Sequence, residues 1–316
     1  MAHIAAIGEV MVELAPFPVD IPEAKNRDIM ALSFAGDTYN TSVYMSRLGL
    51  QTDYVTNLGE DTFSQQIMHR LNSENIGTGM IQCLPGRSPG LYIIRNTPDG
   101  EREFSYWRKE APARELFSTA DNCEHLFQQL KNCDCVYLSG ITLAIIGESA
   151  RYHLLAVLQK LRASDVSIAF DSNYRPRLWE SKHEAQTAMM QVMQHTDIAL
   201  LTLDDEFLLW GDDDTLEGSK QRYKNCHLRE LVLKRSAEDV VIITSDSQIH
   251  VPVPPVANVI DTTGAGDTFN AGYLAARLQN SSAEDAARQG IRCAGIIIRH
   301  RGAVIEKSVF DKELGA

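Results

Sequence analysis

Residues 261–269 read Asp-Thr-Thr-Gly-Ala-Gly-Asp-Thr-Phe, and the interpretation of the whole chain starts from this stretch. It follows an apolar segment, 256–260, that is predicted to be extended, and it precedes Phe269, Tyr273 and Ala276, which recur at helical spacing. Glycines at a helix start let backbone N–H groups approach an anion closely, and the helix dipole favours negative charge there. The stretch therefore predicts a phosphate loop formed by Gly264, Ala265 and Gly266.

Asp267 closes this loop as a carboxylate in the predicted first helical turn. Beside a phosphate it can orient and deprotonate an attacking hydroxyl, and positioning matters more than base strength because the transition state of phosphoryl transfer is loose. The alternative is a plain glycine-rich turn capped by an aspartate, since short glycine motifs arise by chance. The stretch is neither a Walker A motif nor a dinucleotide-binding Gly-x-Gly-x-x-Gly. A dehydrogenase is not favoured either, because Gly8-Glu9 follows the first predicted strand.

The composition is that of a globular protein with an acidic surface. Of 316 residues, 44% are hydrophobic and 23% charged, and the net charge of −12 disfavours nucleic acid and anionic membranes as partners. It also means that a site for an anionic ligand needs local positive charge or oriented N–H groups. No signal peptide is recognisable, so we expect a cytoplasmic protein whose six cysteines are reduced thiols. The pair Cys133-x-Cys135 lacks the spacing of a zinc site.

From about residue 134 onward, predicted strands alternate with predicted helices. The strands are 136–138, 168–171, 198–203, 231–234 and 240–243, and helices are expected at 40–48, at 148–162 and after the capping box at Ser181. The last of these helices is predicted to face inward with Ala185, Ala188, Met189, Val192 and Met193. This alternation predicts an α/β fold with a doubly wound, mostly parallel sheet and helices on both faces. We expect one domain, 1–316, with a small β-sheet lid formed by about 10–33 and 87–110, the latter turning at Pro98-Asp99-Gly100.

Strand parity in the lid points to the substrate. Phe104, Tyr106 and Arg108 lie two residues apart and so share a face, and Tyr92 joins them if the hairpin register is regular. Arg175 follows a predicted strand end, where α/β sheets bind ligands. Two phenols and two guanidinium groups suit a substrate with hydroxyls and a carboxylate.

The alternative for these arginines is a structural role. Arg108 would then pair with Glu110 or Glu101 on a solvated hairpin, and Arg175 would anchor its loop to Asp171. Ion pairs of this kind contribute only about 0–1 kcal/mol. Asp212-Asp213-Asp214 is interpreted as a solvated loop, and Arg299, His300 and Arg301 as either phosphate contacts or a basic helix end.

Nearly the whole chain resembles the ribokinase-like (PfkB) family of carbohydrate kinases. The nine-residue stretch 261–269 matches the family's C-terminal signature, and the N-terminal signature corresponds to Ala35-Gly36-Asp37-Thr38-Tyr39-Asn40, followed by Leu48-Gly49 and by Leu58-Gly59-x-Asp61-x-Phe63. The resemblance implies a ribokinase-like fold and the use of ATP with Mg²⁺. It implies that Gly36, Asp37 and Asn40 contact sugar hydroxyls, that Asp267 is the base, and that Gly264, Ala265 and Gly266 form the anion hole.

The chain departs from the family pattern on the nucleotide side. The Asn-x-x-Glu motif reads Leu203-Asp204-Asp205-Glu206, so only Glu206 remains to order magnesium through water. The Lys-x-Gly element reads Lys234-Arg235-Ser236, with serine in place of glycine near the expected adenine or ribose site. The resemblance assigns Asn173, Lys234, Ser236, Gly264 and Gly266 to nucleotide binding.

Within the family, further segments are similar to the kinases of a sugar acid, 2-keto-3-deoxygluconate. They are Leu91-Tyr92, Tyr106-Trp107-Arg108, Asp171-x-Asn173-Tyr174-Arg175-Pro176-Arg177-Leu178-Trp179 and 201–206. The resemblance implies phosphorylation at the C6 hydroxyl, with Tyr92, Tyr106, Arg108 and Arg175 holding the acid, and a homo-oligomer paired through the lid. The alternatives are a kinase of a neutral sugar such as fructose or ribose, and a catalytically silent sugar-binding protein on the same fold.

Overall fold

The computed structural model describes residues 1–16, 29–96, 102–211 and 215–315. The predicted turn at Pro98-Asp99-Gly100, Glu101 and the loop Asp212-Asp213-Asp214 lie outside these described residues. The described chain forms two sheets and a set of helices around the larger sheet, which confirms the predicted α/β class.

The large sheet runs through the middle of the molecule. Its strands are β1 (His3–Ile7), β4 (Gln51–Leu58), β5 (Ile76–Gly77), β6 (Ile81–Cys83), β9 (Cys135–Ser139), β10 (Ser167–Asp171), β11 (Ile198–Thr202), β12 (Glu230–Lys234), β13 (Asp239–Ile243) and β14 (Gln248–Pro252). They follow the order β14-β13-β12-β11-β10-β9-β1-β4-β5, and β6 also pairs with β4. The pairs from β5 to β12 are parallel, whereas β13 and β14 extend one edge in antiparallel register.

Helices cover both faces of this sheet. They are α1 (Asp37–Arg47), α2 (Thr62–Ser73), α3 (Ala120–Leu130), α4 (Gly140–Ala163), α5 (Lys182–Met193), α6 (Leu203–Trp210), α7 (Leu216–Tyr223), α8 (Ala265–Leu278), α9 (Ala283–Ile297) and α10 (Lys307–Leu314). Two hydrophobic clusters, one on each side of the sheet, form the core. Parallel strands that are buried on both faces, such as β9, require this double layer of helices.

Local signals explain several helix boundaries. Ser181 caps α5 by accepting the N–H of Glu184 at 3.1 Å, and the inward face predicted for this helix is the buried face. The helix predicted at 40–48 begins earlier, at Asp37, and the one predicted at 148–162 begins at Gly140. In that second case, α4 contains a break at Gly147, whose positive φ of 76° explains why the regular apolar spacing starts only after it.

Helix α4 is also long and apolar enough, by composition, to cross a membrane, but 56% of its apolar window is buried inside the protein. It packs against α3 and α5 as a core helix.

All six cysteines are free thiols, as predicted, and five of them are buried.

A second, four-stranded sheet has the order β3-β2-β7-β8, formed by β2 (Met11–Pro16), β3 (Met30–Ala35), β7 (Leu91–Asn96) and β8 (Arg102–Trp107). The pairs β2–β3 and β7–β8 are antiparallel and β2–β7 is parallel. Strand β1 of the large sheet ends at Ile7, and β2 of the small sheet starts anew at Met11. The chain turns at Gly8, where an added Cβ would lie 2.1 Å from Oγ1 of Thr38.

The register of the small sheet separates two faces. Tyr92 lies directly opposite Tyr106, with ring centroids 5.6 Å apart, so these phenols and Phe104 share the inner face as parity predicted. The outer face is also apolar, and it carries Val12, Leu14, Leu32, Phe34, Leu91, Ile93 and Trp107.

Candidate active site

The loop before α8 is held in shape from two sides. Oδ1 of Asp261 accepts the N–H of Thr263 at 2.9 Å, and Oδ2 accepts the N–H of Gly302 at 3.0 Å. Gly264 has a φ of 77°, and an added Cβ would lie 2.8 Å from Cα of Ala303, so both its backbone conformation and its packing require glycine.

The helical hydrogen bonds of α8 begin with the N–H of Thr268, which donates to the carbonyl of Gly264 at 2.9 Å. The N–H groups of Gly266 and Asp267 precede this bond and belong to the helix terminus, which attracts anions. The N–H of Ala265 instead donates to the carbonyl of Thr262 at 3.2 Å. The predicted phosphate loop thus has the geometry of an anion site centred on Gly266.

A buried tyrosine connects this loop to the other half of the chain. The hydroxyl of Tyr44, on α1, donates to the carbonyl of Ala303 at 3.0 Å and accepts the N–H of Ile305 at 3.1 Å. Ala303 in turn packs against Gly264. Helix α1 and the phosphate loop are therefore braced against the same segment.

Asp267 lies in the first turn of α8. Its Oδ2 accepts a hydrogen bond from Nδ2 of Asn40 at 2.8 Å, so α1 and α8 meet at the predicted base. Burial and the negative charge of Asp37 raise the pKa of the Asp267 carboxyl to about 8, against the opposing effects of Asn40 and Lys234. A carboxylate with this pKa accepts a proton more readily near neutral pH than an ordinary aspartate does.

Asp37 and Asn40 lie together on the first turn of α1. Oδ1 of Asp37 accepts the N–H of Thr38 at 2.8 Å, and Oδ2 accepts Nδ2 of Asn173 at 2.8 Å. Burial raises the pKa of the Asp37 carboxyl. Oδ1 of Asn40 is buried and has no hydrogen-bond partner within the described part of the chain, so it offers an acceptor to a hydroxyl. Asn173, assigned to the nucleotide from the sequence, lies here against Asp37.

Gly36 precedes this turn as the N-cap of α1. A Cβ at this position would lie 2.1 Å from the carbonyl oxygen of Glu9. The backbone that follows strand β1 therefore fills the space that a side chain would need. The requirement for glycine here is explained by packing within the protein.

Arg108 forms a buried ion pair that the sequence did not reveal. Its guanidinium donates to Oε2 of Glu9, a carboxylate that is only 2% exposed and whose pKa is raised by burial. Glu110, the partner expected in the structural alternative, lies 3.6 Å from Arg87 instead. Oε1 of Glu9 and Nε of Arg108 are buried without a hydrogen-bond partner among the described residues. The pair therefore retains hydrogen-bonding capacity on both sides.

The two predicted tyrosines differ in their surroundings. The hydroxyl of Tyr92 donates to Oε2 of Glu13, and burial raises the pKa of the Tyr92 hydroxyl. Tyr106 is 47% exposed on the inner face of the small sheet, and the guanidinium of Arg108 lies 5.8 Å from its ring centroid. Tyr106 is the more available of the two phenols.

Arg175 lies in the loop after β10. Its NH1 donates to the carbonyl of Tyr174 at 2.9 Å and to Oδ1 of Asp205 at 3.3 Å, and about half of its side chain is exposed. The alternative contact with Asp171 does not form. Burial raises the pKa of Asp205, and Arg175 opposes this effect.

A cleft of about 1280 Å³ begins beside Gly266. One wall carries Lys234 and Ser236, and the rest is largely apolar, formed by Val251, Pro252, Val253, Pro254, Pro255 and Val256 together with Ile291, Ala294 and Ile298 from the α9 region. The segment 256–260 was expected to be extended. It is irregular chain that lines this cleft, and it is not a strand. The apolar wall was not predicted from the sequence, although the proline-rich apolar run before the loop indicates an apolar surface there.

Ser236 adopts the backbone conformation that the family's glycine would favour. Its φ is 51°, in the left-handed region, and its hydroxyl donates to Oδ2 of Asp204 at 3.1 Å. Glu206 is fully buried in α6, where Oε2 accepts the hydroxyl of Tyr223 at 2.8 Å and NH1 of Arg222 at 3.1 Å. Any action of Glu206 on a metal ion is therefore indirect.

Asp171 and Asn270 are buried beside Lys234, and neither was predicted as a site residue from the sequence. Nζ of Lys234 donates to Oδ1 of Asn270 at 3.0 Å and lies 3.6 Å from Oδ1 of Asp171. Nδ2 of Asn270 donates to Oδ2 of Asp171 at 2.8 Å. Arg299, considered as a phosphate contact, lines the far end of the cleft and pairs with Glu313, as does His300.

The chain is similar in sequence to known proteins. The family model described as pfkB family carbohydrate kinase matches residues 1–308. The chain is 43% identical over 311 residues to a 2-dehydro-3-deoxygluconokinase of Escherichia coli K12, covering 96% of this chain and 97% of that protein. It is 39% identical over 318 residues to the enzyme of the same name from Haemophilus influenzae, covering 97% and 96%.

Solved structures share the fold. The 2-dehydro-3-deoxygluconokinase of Thermotoga maritima superposes with a TM-score of 0.83 at 18% identity, covering 100% of this chain and 98% of that one. An Escherichia coli protein solved in complex with ATP and Mg²⁺ gives a TM-score of 0.84 at 22% identity, with 100% and 99% coverage. The resemblance predicted from residues 261–269 and the N-terminal signature is confirmed: this chain belongs to the pfkB family of carbohydrate kinases.

Proposed function

We propose that this chain is an ATP-dependent 2-dehydro-3-deoxygluconokinase, which phosphorylates the C6 hydroxyl of the sugar acid also called 2-keto-3-deoxygluconate. The position of Asp267 carries the proposal. Its carboxylate accepts a hydrogen bond from Asn40 on the sugar side, and it lies in the first turn of α8, the helix that borders the nucleotide cleft. Relatives of that name are 39–43% identical over nearly the whole chain.

In the proposed reaction, Asp267 orients the C6 hydroxyl and takes its proton. The hydroxyl oxygen forms a bond to the γ-phosphorus of ATP while the bond from that phosphorus to the bridging oxygen of ADP breaks. The N–H groups at the start of α8, with Gly264, Ala265 and Gly266 shaping the loop, stabilise the charge on the transferred group. Oδ1 of Asn40, which has no hydrogen-bond partner among the described residues, and the Asp37 carboxylate accept hydroxyls of the sugar, while Gly36 lets α1 start beside the backbone of Glu9.

Recognition of the acid rests on the inner face of the small sheet. Arg108 lies beside Tyr106, and its Nε has no hydrogen-bond partner among the described residues, while the ring of Tyr92 lies tilted against that of Tyr106. Arg175 presents a half-exposed guanidinium from the β10 loop. Two arginines supply the positive charge that a carboxylate requires on a protein of net charge −12.

Magnesium fits the phosphate end of the cleft. Mg²⁺ prefers oxygen ligands, keeps several waters and is usually held by one or two carboxylates plus phosphates. Asp171 and Asp205 supply carboxylates close enough to Lys234 to interact electrostatically. Asp171 and Asp205 would hold the ion through water, and Glu206, fully buried in α6, would contribute only indirectly. When bound, the ion neutralises charge on the phosphates.

A kinase of a neutral sugar is the second candidate, because fructokinases are also relatives, at 23–25% identity. Such an enzyme would not need Arg108 and Arg175 together. The higher identity to the sugar-acid kinases and the presence of both arginines favour the acid.

We further propose one domain over 1–316, with the small sheet as its lid, in a cytoplasmic homo-oligomer. The outer face of the lid supports this, since Leu32 and Trp107 are 46% and 58% exposed there beside other apolar side chains. A second copy pairing through this face would cover them. Light scattering at micromolar concentration that gives the mass of a monomer would contradict the proposal.

The function is tested by an ADP-release assay with MgATP and, in parallel, 2-keto-3-deoxygluconate, gluconate, fructose and ribose. We expect strong preference for the keto acid, and a loss of about 10³-fold or more in Asp267→Asn, which keeps the shape but removes the base. Preference for a neutral sugar would support the second candidate. No turnover with any of them would favour a silent sugar-binding protein on this fold.

A further inference from the structure

Four side chains form a closed polar network beneath the phosphate loop. Nζ of Lys234 donates to Oδ1 of Asn270 at 3.0 Å and forms an ion pair with Asp171 at 3.6 Å. Nδ2 of Asn270 donates to Oδ2 of Asp171 at 2.8 Å and to the hydroxyl of Tyr137 at 3.2 Å. All four side chains are buried, and Asn270 is 0% exposed.

The chemistry of the partners fixes the orientation of the Asn270 amide. An ammonium can only donate and an ionised carboxylate can only accept, so Oδ1 must face Lys234 and Nδ2 must face Asp171. Asn270 therefore connects the ammonium of Lys234, at the end of β12, with the carboxylate of Asp171, at the end of β10. Without this amide, the ammonium would retain only the longer contact with Asp171.

Lys234 also lies at the boundary of the anion site. An added Cβ on Gly266 would lie 3.9 Å from its Nζ, whereas the apolar wall suited to a nucleotide base is formed by the segment 251–256 and α9. The sequence placed the Lys234 element near the adenine or ribose. The geometry places its charge at the phosphate end.

We propose that Asn270 is a positioning residue for phosphoryl transfer: together with Asp171 it holds the ammonium of Lys234 beside Gly266, where Lys234 contacts the β,γ-phosphate end of ATP. This inference rests on the proposed kinase function. Asn270 itself touches neither substrate, and it acts through Lys234.

The charge distribution explains why the position of one ammonium matters. Asp37, Asp171 and Asp267 are close enough to affect one another, as the raised pKa of Asp267 reflects. A triphosphate entering beside three carboxylates meets repulsion that an anchored point charge offsets in a site with little water. A lysine free to turn away would leave this repulsion uncompensated.

A double-mutant cycle of Lys234→Met and Asn270→Leu tests the proposal. We expect kcat to fall about 100-fold in Lys234→Met and about 10-fold in Asn270→Leu, with the KM of the sugar acid changed less than about twofold. The double variant should be no slower than Lys234→Met, because Asn270 has nothing left to position. The matched control is Tyr273→Phe, which removes a buried hydrogen bond to Glu230 from the same helix and should keep kcat within about twofold.

A second measurement, on nucleotide binding, distinguishes contacts to the phosphates from contacts to the adenine base. Adenosine, used as a competitive inhibitor of ATP, should keep its inhibition constant in Lys234→Met, while the Kd of ATP rises about tenfold or more. Additive losses of kcat in the double variant, or an equal weakening of adenosine and ATP, would overturn the proposal. Thermal unfolding of each variant identifies one that fails to fold, and Asn270→Ser then replaces Asn270→Leu in the same cycle.

Failure of the proposed function gives a different result. If the wild-type protein binds ATP but does not phosphorylate the sugar acid, the assignment as a kinase of this acid is wrong. The ATP and adenosine affinities of Lys234→Met and Asn270→Leu still test where Lys234 lies and whether Asn270 holds it.

Discussion

Nδ2 of Asn40 donates a hydrogen bond of 2.8 Å to Oδ2 of Asp267, and this contact joins the two halves of the proposed active site. Asn40 lies on the first turn of α1, beside the residues assigned to the sugar, and Asp267 on the first turn of α8, beside the phosphate loop. The amide holds the carboxylate in place and favours its ionised form, whereas burial and Asp37 favour the protonated form.

The pH dependence of catalysis follows from this balance. A base acts only when ionised, and the pKa of Asp267 is raised to about 8 in the free protein. We expect kcat/KM for the sugar acid to increase with pH and to approach its plateau above about pH 8. Asn40→Leu removes an effect that lowers this pKa, so the midpoint should move to higher pH. A profile that is flat from pH 6 to 9 in the wild-type protein would contradict this assignment of the base.

The same pKa predicts a stability difference. The folded-state pKa of about 8 lies above the ordinary value of 3.8, so the folded protein binds this proton more tightly than the unfolded chain does. Stability is therefore lost as the pH rises from about 4 to about 8. Asp267→Asn carries no charge, and its Tm should exceed that of the wild-type protein by a margin that grows over this range and then levels off. Thermal shift measurements at pH 5, 7 and 9 check this, with the exposed Asp246→Asn as the control that should show no such trend.

The two glycines of the phosphate loop should respond differently to alanine. At Gly264 the new Cβ would meet Ala303 at 2.8 Å and the backbone has a positive φ, so Gly264→Ala should lower the stability by about 1–3 kcal/mol. At Gly266 the new Cβ would meet, among the described residues, only Nζ of Lys234 at 3.9 Å, so Gly266→Ala should unfold at nearly the wild-type temperature. The methyl group would nevertheless occupy space beside the phosphates and should reduce kcat. Equal Tm losses in the two variants would show that the loop geometry is different.

Substrate selectivity should depend on Arg108. Replacing it by alanine removes a carboxylate contact, and we expect kcat/KM for the sugar acid to fall about 100-fold while activity on neutral sugars changes little. Because Arg108→Ala also leaves Glu9 buried without its partner, the informative variant is Glu9→Gln/Arg108→Ala. Arg95→Ala, an exposed arginine of the same small sheet, is the matched control. Equal losses for fructose and the keto acid would indicate damage to the lid in place of lost recognition.

Local patterns predicted most of the fold. The helical spacing of 185–193 identified the buried face of α5, and the alternation of strands and helices gave the doubly wound sheet. Boundaries were less predictable where a glycine interrupts a helix, as at Gly147, or where a strand changes sheets, as at Gly8. In both places the decisive contact is with a distant part of the chain or depends on a single φ angle.

The site was predictable where one motif carries one role. The phosphate loop and Asp267 were identified from contiguous residues, and Asn40 from its signature. The partners that set their chemistry were not, because Glu9 is 99 residues from Arg108 and Asp171 is 99 residues from Asn270. The apolar nucleotide wall was missed for the same reason, since β14 and α9 assemble it from separate parts of the sequence.

The contact between Tyr44 and Ala303 has a consequence for how the enzyme is made. The two residues are 259 positions apart, so helix α1 is synthesised long before the segment that braces it. Contacts of such high sequence separation form late, because the intervening chain must first be ordered. During translation the first helix layer and the sheet can assemble, but the phosphate loop acquires its brace only when residues 303–305 have left the ribosome. We therefore expect nascent chains that end before this segment to be compact and yet unable to transfer a phosphoryl group.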